Sequence, residues 1–388
     1  MIDKCTELFS SDTDKVFLGH CAISPLFAGA RDVMQSYAKE MAAGGVTALH
    51  QFLDYIPRLH NSAGAMMKTG GENISFVQNT ATALSMIAGG YPFEPGDQII
   101  SYVHEYPSNH YPWLIQQSRG VELVLLPDVG ETGGNGTLLG WSMGDLEKLV
   151  TSRTRVIAIS HVQFASGFAA DLVELGAFCK ERDIDLVVDC AQSFGCLPVY
   201  PEECNIAAIA TSGWKWLMGP FGAGLMYTSP EFRAKLRITM GGPSMMEQGL
   251  DYLDLSWQPH KDGRMFEFSA SPFDHMAALA EVMENVFARN SMEQVRDEVF
   301  RLQDLFVAEL LSLGVTGREA KVLMPTQKHR SGIVPIQVAA DPQAVMAKLQ
   351  SEGVTFTGPT GVLRLAPHFY MSDAQIVKAA HVFKNVVG

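Results

Sequence analysis

From about residue 74 the chain alternates short apolar runs with amphipathic stretches at close spacing. Ile74 to Gln78 has the pattern of a buried strand, and Thr80 to Ala88 that of a helix. The turn Pro95-Gly96-Asp97 separates that helix from the strand Gln98 to Val103. A helix ending near Gly120, the strand Val121 to Leu126 and the glycine-rich loop Gly130 to Gly136 come next. The helix Met143 to Val150, the strand Arg155 to Ser160, the helix Asp171 to Arg182 and the strand Ile184 to Val188 continue the alternation. Ile206 to Ala210 and Gly224 to Tyr227 are two further strands, and the segment around Lys215 lies between them. Continuous apolar strands separated by helices predict a mostly parallel sheet covered on both faces, an α/β fold. From Phe273 to about Leu313 the pattern turns strongly helical, and the rest is mixed α and β. The predicted organisation is a large α/β domain over residues 17–290 and a smaller α+β domain over 291–388, with 1–16 packing on the smaller one.

Composition narrows the chemistry. The 388 residues are 47% hydrophobic and 18% charged, an ordinary globular balance for one large core and a smaller one. A formal net charge of −13 argues against a nucleic-acid partner, which needs a basic face. Met1 to Asp14 has no apolar core of a secretory signal, and no apolar stretch reaches the roughly 18 to 20 residues of a membrane span. The six cysteines are scattered without a CxxC pair, which predicts reduced thiols, no metal site and a cytoplasmic location.

In an open α/β sheet, ligands sit beyond the carboxyl ends of the strands. Three features fall at such ends. Gln78-Asn79-Thr80-Ala81-Thr82 hands a strand over to a helix, and its free amides and hydroxyls suit a phosphate dianion. Plain helix capping by Asn79 or Thr80 is the alternative. Asp189 ends the strand before Cys190-Ala191-Gln192. A carboxylate there needs a partner, either a structural one or a protonated ring nitrogen, with Gln192 donating to a ring oxygen. In Ser212-Gly213-Trp214-Lys215-Trp216 a lysine stands among apolar and aromatic neighbours. Desolvation there favours the neutral amine that imine chemistry requires, and snorkelling to the surface is the alternative.

Phosphate cup, acid, and a lysine 26 residues after the acid resemble the fold-type-I pyridoxal-phosphate (PLP) enzymes, in particular the class V aminotransferases. That group includes cysteine desulfurases, kynureninase and isopenicillin N epimerase. Val16 to Pro25, Ser160 to Gly167, Val188-Asp189-Cys190-Ala191-Gln192-Ser193, Ser212 to Lys215 and Leu363 to Tyr370 carry the resemblance. It implies that Lys215 forms the internal aldimine and later shuttles the α-proton. It further implies that Asp189 keeps the ring nitrogen protonated, that Gln192 touches the ring hydroxyl, and that Asn79, Thr80, Ala81 and Ser212 hold the phosphate. By the same resemblance Tyr106 stacks on the cofactor, Arg364 grips the substrate carboxylate, and His20 and Gln163 line the pocket. Ser271 falls in the segment that reaches a neighbouring subunit's phosphate, and a homodimer is implied.

Two departures bear on the reaction. The desulfurases carry a cysteine on a loop shortly before the arginine, whereas residues 353–364 here hold none. Trp214 stands where they usually carry histidine. The expected function is therefore PLP-dependent transamination of a small α-amino acid. A carbon–sulfur or related β-lyase comes second, and an epimerase or kynureninase-like enzyme third. A non-catalytic PLP-binding relative and a nucleotide-dependent oxidoreductase are the readings from other classes. The latter lacks a GxGxxG between a first strand and helix, because Gly219 to Gly224 follows the lysine.

Overall fold

The computed structural model describes residues 2–9, 15–129, 140–358 and 361–388. The glycine-rich loop Gly130 to Gly136 lies outside the described residues.

Among the described residues the strands in chain order are β1 (Val16–Phe17), β2 (Ile74–Val77), β3 (Gln98–Tyr102), β4 (Glu122–Leu126), β5 (Thr154–Ser160), β6 (Asp185–Asp189), β7 (Ala208–Ala210), β8 (Gly224–Thr228), β9 (Ala320–Val322), β10 (Val334–Val338), β11 (Val354–Thr355) and β12 (Leu363–Leu365). The main sheet runs β2-β8-β7-β6-β5-β3-β4. All its neighbours are parallel except β8, which is antiparallel to both β2 and β7. The predicted mostly parallel sheet is the observed one. The antiparallel strand arises because the chain turns straight back after the Lys215 segment instead of crossing through a helix.

The interior strands β3, β7 and β8 and the edge strand β2 are buried along their whole length, whereas β4 at the other edge has polar and exposed positions. Helices cover both faces, as such apolar strands demand. Apolar residues of helices Tyr55–Met67 and Phe273–Asn285 pack on one face in a cluster with Ile100, Ile157 and Val188. Helix Thr80–Gly90 packs on the other, with Val156, Ala158 and Val187. The element bounds match the apolar runs closely because strand residues alternate between two buried faces, leaving few polar positions inside a run.

A second sheet, β12-β10-β9, and the parallel pair β1–β11 carry their own apolar cluster, with Leu302, Phe306, Ile376 and Phe383 from the two long C-terminal helices. The N-terminal residues pack nearby. Lys4 pairs with Glu298 at 2.6 Å, and the Phe9 ring stacks on Tyr370 at 3.9 Å.

A cluster of buried aromatic and imidazole rings joins this part to the main sheet. His20 Nδ1 bonds the Ala366 carbonyl oxygen at 2.8 Å, and the Tyr370 hydroxyl lies 2.8 Å from His20 Nε2. His368 Nε2 donates to the Trp216 carbonyl oxygen at 2.9 Å, and its Nδ1 accepts from the Phe369 N–H. The His368 ring is neutral in this arrangement, since one nitrogen donates and the other accepts, and burial pushes the His20 pKa well down.

Burial pushes the His368 pKa down to about 4, against the opposing pull of its bond to Trp216. In the unfolded chain it returns to roughly 6.5. Between those values the unfolded state binds more protons than the folded one, so the stabilisation is whole above about pH 6.5 and is lost as pH falls towards 4. Denaturation midpoints followed by circular dichroism are expected to fall over that window, and less steeply in His368→Gln, whose amide keeps a donor for Trp216. The difference between the two curves isolates His368 from other titrating groups and is expected to reach at most about 3 kcal/mol. Parallel curves would show that His368 is not held neutral by the fold.

Candidate active site

The parallel register sets the site. Ser160 at the end of β5 is paired with Asp189 at the end of β6, and Asp189 with Ala210 at the end of β7. Thr211 and Ser212 follow directly, and the turn after them carries Lys215. At the far side of the antiparallel β8, β2 delivers Asn79 and the start of helix Thr80–Gly90. Gly224 opens β8 without a side chain because a Cβ there would sit 2.5 Å from the Thr211 carbonyl oxygen and 3.4 Å from the Asn79 Cα. That close crossing draws the two chain segments together.

A cavity of about 380 Å³ lies at these strand ends. It is lined by eight of the sequence-predicted residues: Asn79, Thr80, Ala81, Tyr106, Asp189, Gln192, Ser212 and Lys215. The Asn79 side chain accepts from the Thr82 N–H at 2.8 Å, so it caps the helix, which was the plain alternative for it. The remaining first-turn amides of an 11-residue helix have no intrahelical acceptor. Ser212 is 1% exposed, and its Oγ has no hydrogen-bond partner. A buried hydroxyl left unsatisfied beside a helix N-terminus suits a phosphate oxygen.

Asp189 is buried, and its Oδ1 accepts from the Ala191 N–H at 2.8 Å. Burial pushes its carboxyl pKa up, with the Lys215 ammonium pulling it down. Burial pushes the Lys215 pKa down, opposed by Asp189 and reinforced by Arg364. The lysine Nζ stands 5.4 Å from the centroid of the Tyr106 ring. Tyr106 itself is 45% exposed, so its ring faces open space that a planar ligand could cover. Gln192 donates to the Cys21 carbonyl oxygen at 2.9 Å, which leaves one hydrogen of its amide uncommitted.

Arg364, on β12, is 6% exposed. Its Nη1 donates to the Phe164 carbonyl oxygen at 2.7 Å and its Nη2 to Thr357 Oγ1 at 3.3 Å, while Nε is buried without a partner. Among the described residues no carboxylate lies within 4.0 Å of it, and its hydrogen-bond partners are a carbonyl and a hydroxyl oxygen. A buried guanidinium without an anion is costly, and a carboxylate from a ligand would satisfy it.

Four predicted residues stand apart from the cavity lining, Arg364 among them, held behind it against the Phe164 backbone. His20 is fully buried in the ring cluster between Ala366 and Tyr370. Gln163 lies behind the wall, donating to Glu105 at 2.8 Å with its own Oε1 unpartnered. Ser271 lines a separate, smaller cavity with Phe76 and Thr82.

The structure adds residues that sequence reasoning passed over. Glu105 is buried and accepts from the Ser160 N–H, the Ser160 hydroxyl and Gln163. Burial pushes its pKa up to about 7 against those bonds. Its signal was the one used for Asp189, an acid just past the end of an apolar strand. Phe164 and Trp214 also line the cavity, and for them the sequence holds no comparable signal. All six cysteines are free and buried, and none lines the cavity. Among the described residues no cluster of His, Cys, Asp and Glu could hold a metal ion, and no helix is long and apolar enough to cross a membrane.

Comparison with known proteins agrees with this architecture. A probable cysteine desulfurase of Methanothermobacter thermautotrophicus is 27% identical over 244 residues, covering 61% of this chain and 59% of that protein. The chain thus spans less than two thirds of the length of that relative. An uncharacterized aminotransferase of Schizosaccharomyces pombe is 24% identical, covering 82% of this chain and 78% of its own. Among solved structures, the complex of the cystine C–S lyase C-DES with cysteine persulfide matches with a TM-score of 0.84 at 18% identity, covering 96% of this chain and 98% of that one. At that identity the likeness speaks for the fold, which is that of the fold-type-I PLP enzymes. The family model for class V aminotransferases, whose members use PLP, matches residues 16–370. The chain therefore belongs to the class V aminotransferase family.

Proposed function

We propose that the chain is a PLP-dependent enzyme that removes the α-proton of a small amino acid and breaks a carbon–sulfur bond at its β-carbon. The observation that carries the PLP reading is one cavity holding Lys215, Asp189 and the unpartnered Ser212 hydroxyl beside a helix N-terminus. The residues fit the cofactor. Thr80, Ala81 and Ser212 would hold its phosphate, Asp189 and Gln192 its ring substituents, Tyr106 one face of the ring, and Lys215 its aldehyde carbon. When bound, PLP supplies an electron-withdrawing cationic ring that stabilises negative charge on the amino acid's α-carbon.

The protein's own groups do the rest. The desolvated Lys215 amine is a base for the α-proton, because burial disfavours its charged form. The Asp189 carboxylate, raised by burial, regains its charge opposite a cation. Arg364 holds the substrate carboxylate and so fixes which bond of the α-carbon faces the base.

Cleavage at sulfur is favoured by the names of the relatives, a cysteine desulfurase and a cystine C–S lyase. With no cysteine in residues 353–364, the sulfur is not handed to a protein thiol of that stretch. Transamination, the first expectation from sequence, is the second reading, supported by the aminotransferase of S. pombe.

We further propose a division near residue 290, a cytoplasmic location and a homodimer. The separate apolar cluster around Phe306 supports the division and the six free thiols the location. Leu250, Tyr252, Leu253, Leu255 and Trp257, each at least 64% exposed, support the homodimer as apolar surface that a second copy would cover.

Borohydride reduction of the holoenzyme is expected to leave a pyridoxyl adduct on Lys215 by mass spectrometry. Lys215→Ala is expected to lose the adduct and all turnover while keeping its circular dichroism. An adduct elsewhere, or an active Lys215→Ala, would refute the reading. Pyruvate with a released thiol or sulfide marks the lyase, and an aminated keto-acid acceptor marks the transferase. Arg364→Lys keeps the charge but loses the fork, and its KM for the amino acid is expected to rise about 10- to 100-fold with the Lys215 adduct intact. An unchanged KM would remove Arg364 from the carboxylate site.

A further inference from the structure

The cavity is walled by aromatic rings and short of charge. Tyr106 and Phe164 meet edge to face with centroids 5.2 Å apart, and Trp214 is stacked on Phe221 at 5.0 Å. Phe221 is 57% exposed, so this stack stands partly in water. Among the described lining residues the only charged side chains are Asp189 and Lys215, and the cofactor would engage both. Arg364, held against the Phe164 backbone, is taken by the substrate carboxylate. No cation then remains for an acidic substrate side chain and no carboxylate for a basic one. A charged group brought into this cavity would lose hydration and meet only neutral polar groups such as Ser108 and Ser160, with no opposite charge. An apolar or aryl group would cover rings that now face solvent.

The sulfur must also have somewhere to go. None of the six cysteines lines the cavity, so the departing atom stays on its own small molecule.

We propose that the substrate is a cysteine whose sulfur carries an apolar or aryl group, with Phe164, Trp214 and Phe221 as the residues that select it. This rests on the carbon–sulfur lyase reading. The α-C–H and β-C–S bonds break, the α-proton passes to the Lys215 Nζ, and the C–S electron pair leaves on sulfur, which is protonated to a free thiol. The three-carbon remainder takes up one water and departs as pyruvate and ammonium. No oxidant or reductant takes part.

The test uses the holoenzyme with S-benzyl-L-cysteine, S-carboxymethyl-L-cysteine and S-(2-aminoethyl)-L-cysteine. Thiol and pyruvate release give kcat/KM, and the shift in cofactor absorbance gives Kd. The benzyl compound is expected to exceed both charged ones at least about tenfold in kcat/KM. Phe221→Ala is expected to cut the benzyl-to-carboxymethyl ratio about 3- to 10-fold and Phe221→Leu to restore part of it, with the Lys215 adduct intact in both. The exposure of Phe221 makes loss of folding an unsuitable explanation for such a change. Equal turnover of all three compounds, or a ratio unmoved by Phe221→Ala, overturns the proposal and leaves the lyase reading standing. No thiol from any compound, with amination of an added keto acid, overturns the lyase reading itself.

Discussion

The arrangement depends on the cost of keeping charge away from water. Asp189, Lys215, Glu105 and Arg364 all sit at or behind one cavity at the strand ends. Asp189 and Lys215 both line it, the charged form of each disfavoured by burial and favoured by the other. Glu105 is surrounded by donors from Ser160 and Gln163, whereas Arg364 has carbonyl and hydroxyl acceptors but no anion among the described residues. Such a set is stable enough to fold around and still incomplete, and incompleteness of this kind is what a ligand with an anionic and a cationic end can relieve.

The sheet supplies the positioning. Parallel strands end on one edge, and the pairing of Ser160 with Asp189 and of Asp189 with Ala210 leaves no freedom in where those tips fall. The antiparallel β8 brings β2, and with it the helix start at Thr80, to the same edge. A Cβ at Gly224 could not be accommodated in that crossing, so a position with no chemistry of its own shapes the cup. Behind it, His20, His368 and Tyr370 bind the Lys215 segment to the part of the chain that carries Arg364. Lys215 and Arg364 are thus held to one another through a dry cluster of rings.

Much of this was legible from residue order. Uninterrupted apolar runs revealed the strands because both faces of the sheet are covered, and the residue after each run was a candidate for the site because parallel strands end together. That logic found Asp189, Ser212 and Lys215. It could have found Glu105, which sits just past β3 in the same way. Ser271 and His20 came from the resemblance and not from that logic; neither lines the cavity, and each lies on a segment whose route depends on packing and not on strand periodicity.

What the sequence by itself determined is the fold, the order of its chemical groups and the edge of the sheet on which they gather, because short-range periodicity fixes strands and parallel pairing fixes their ends. Only the tertiary structure decided that, among the described residues, Arg364 has no protein carboxylate and the Ser212 hydroxyl goes unbonded, and that Tyr106, Phe164 and Trp214 line the cavity. Those facts are contacts between segments as far as 200 residues apart, as between Phe164 and Arg364. Spacing along the chain holds no record of them. They follow from how two covered sheets and one ring cluster close upon each other, excluding water from some polar atoms and leaving others to wait for a ligand.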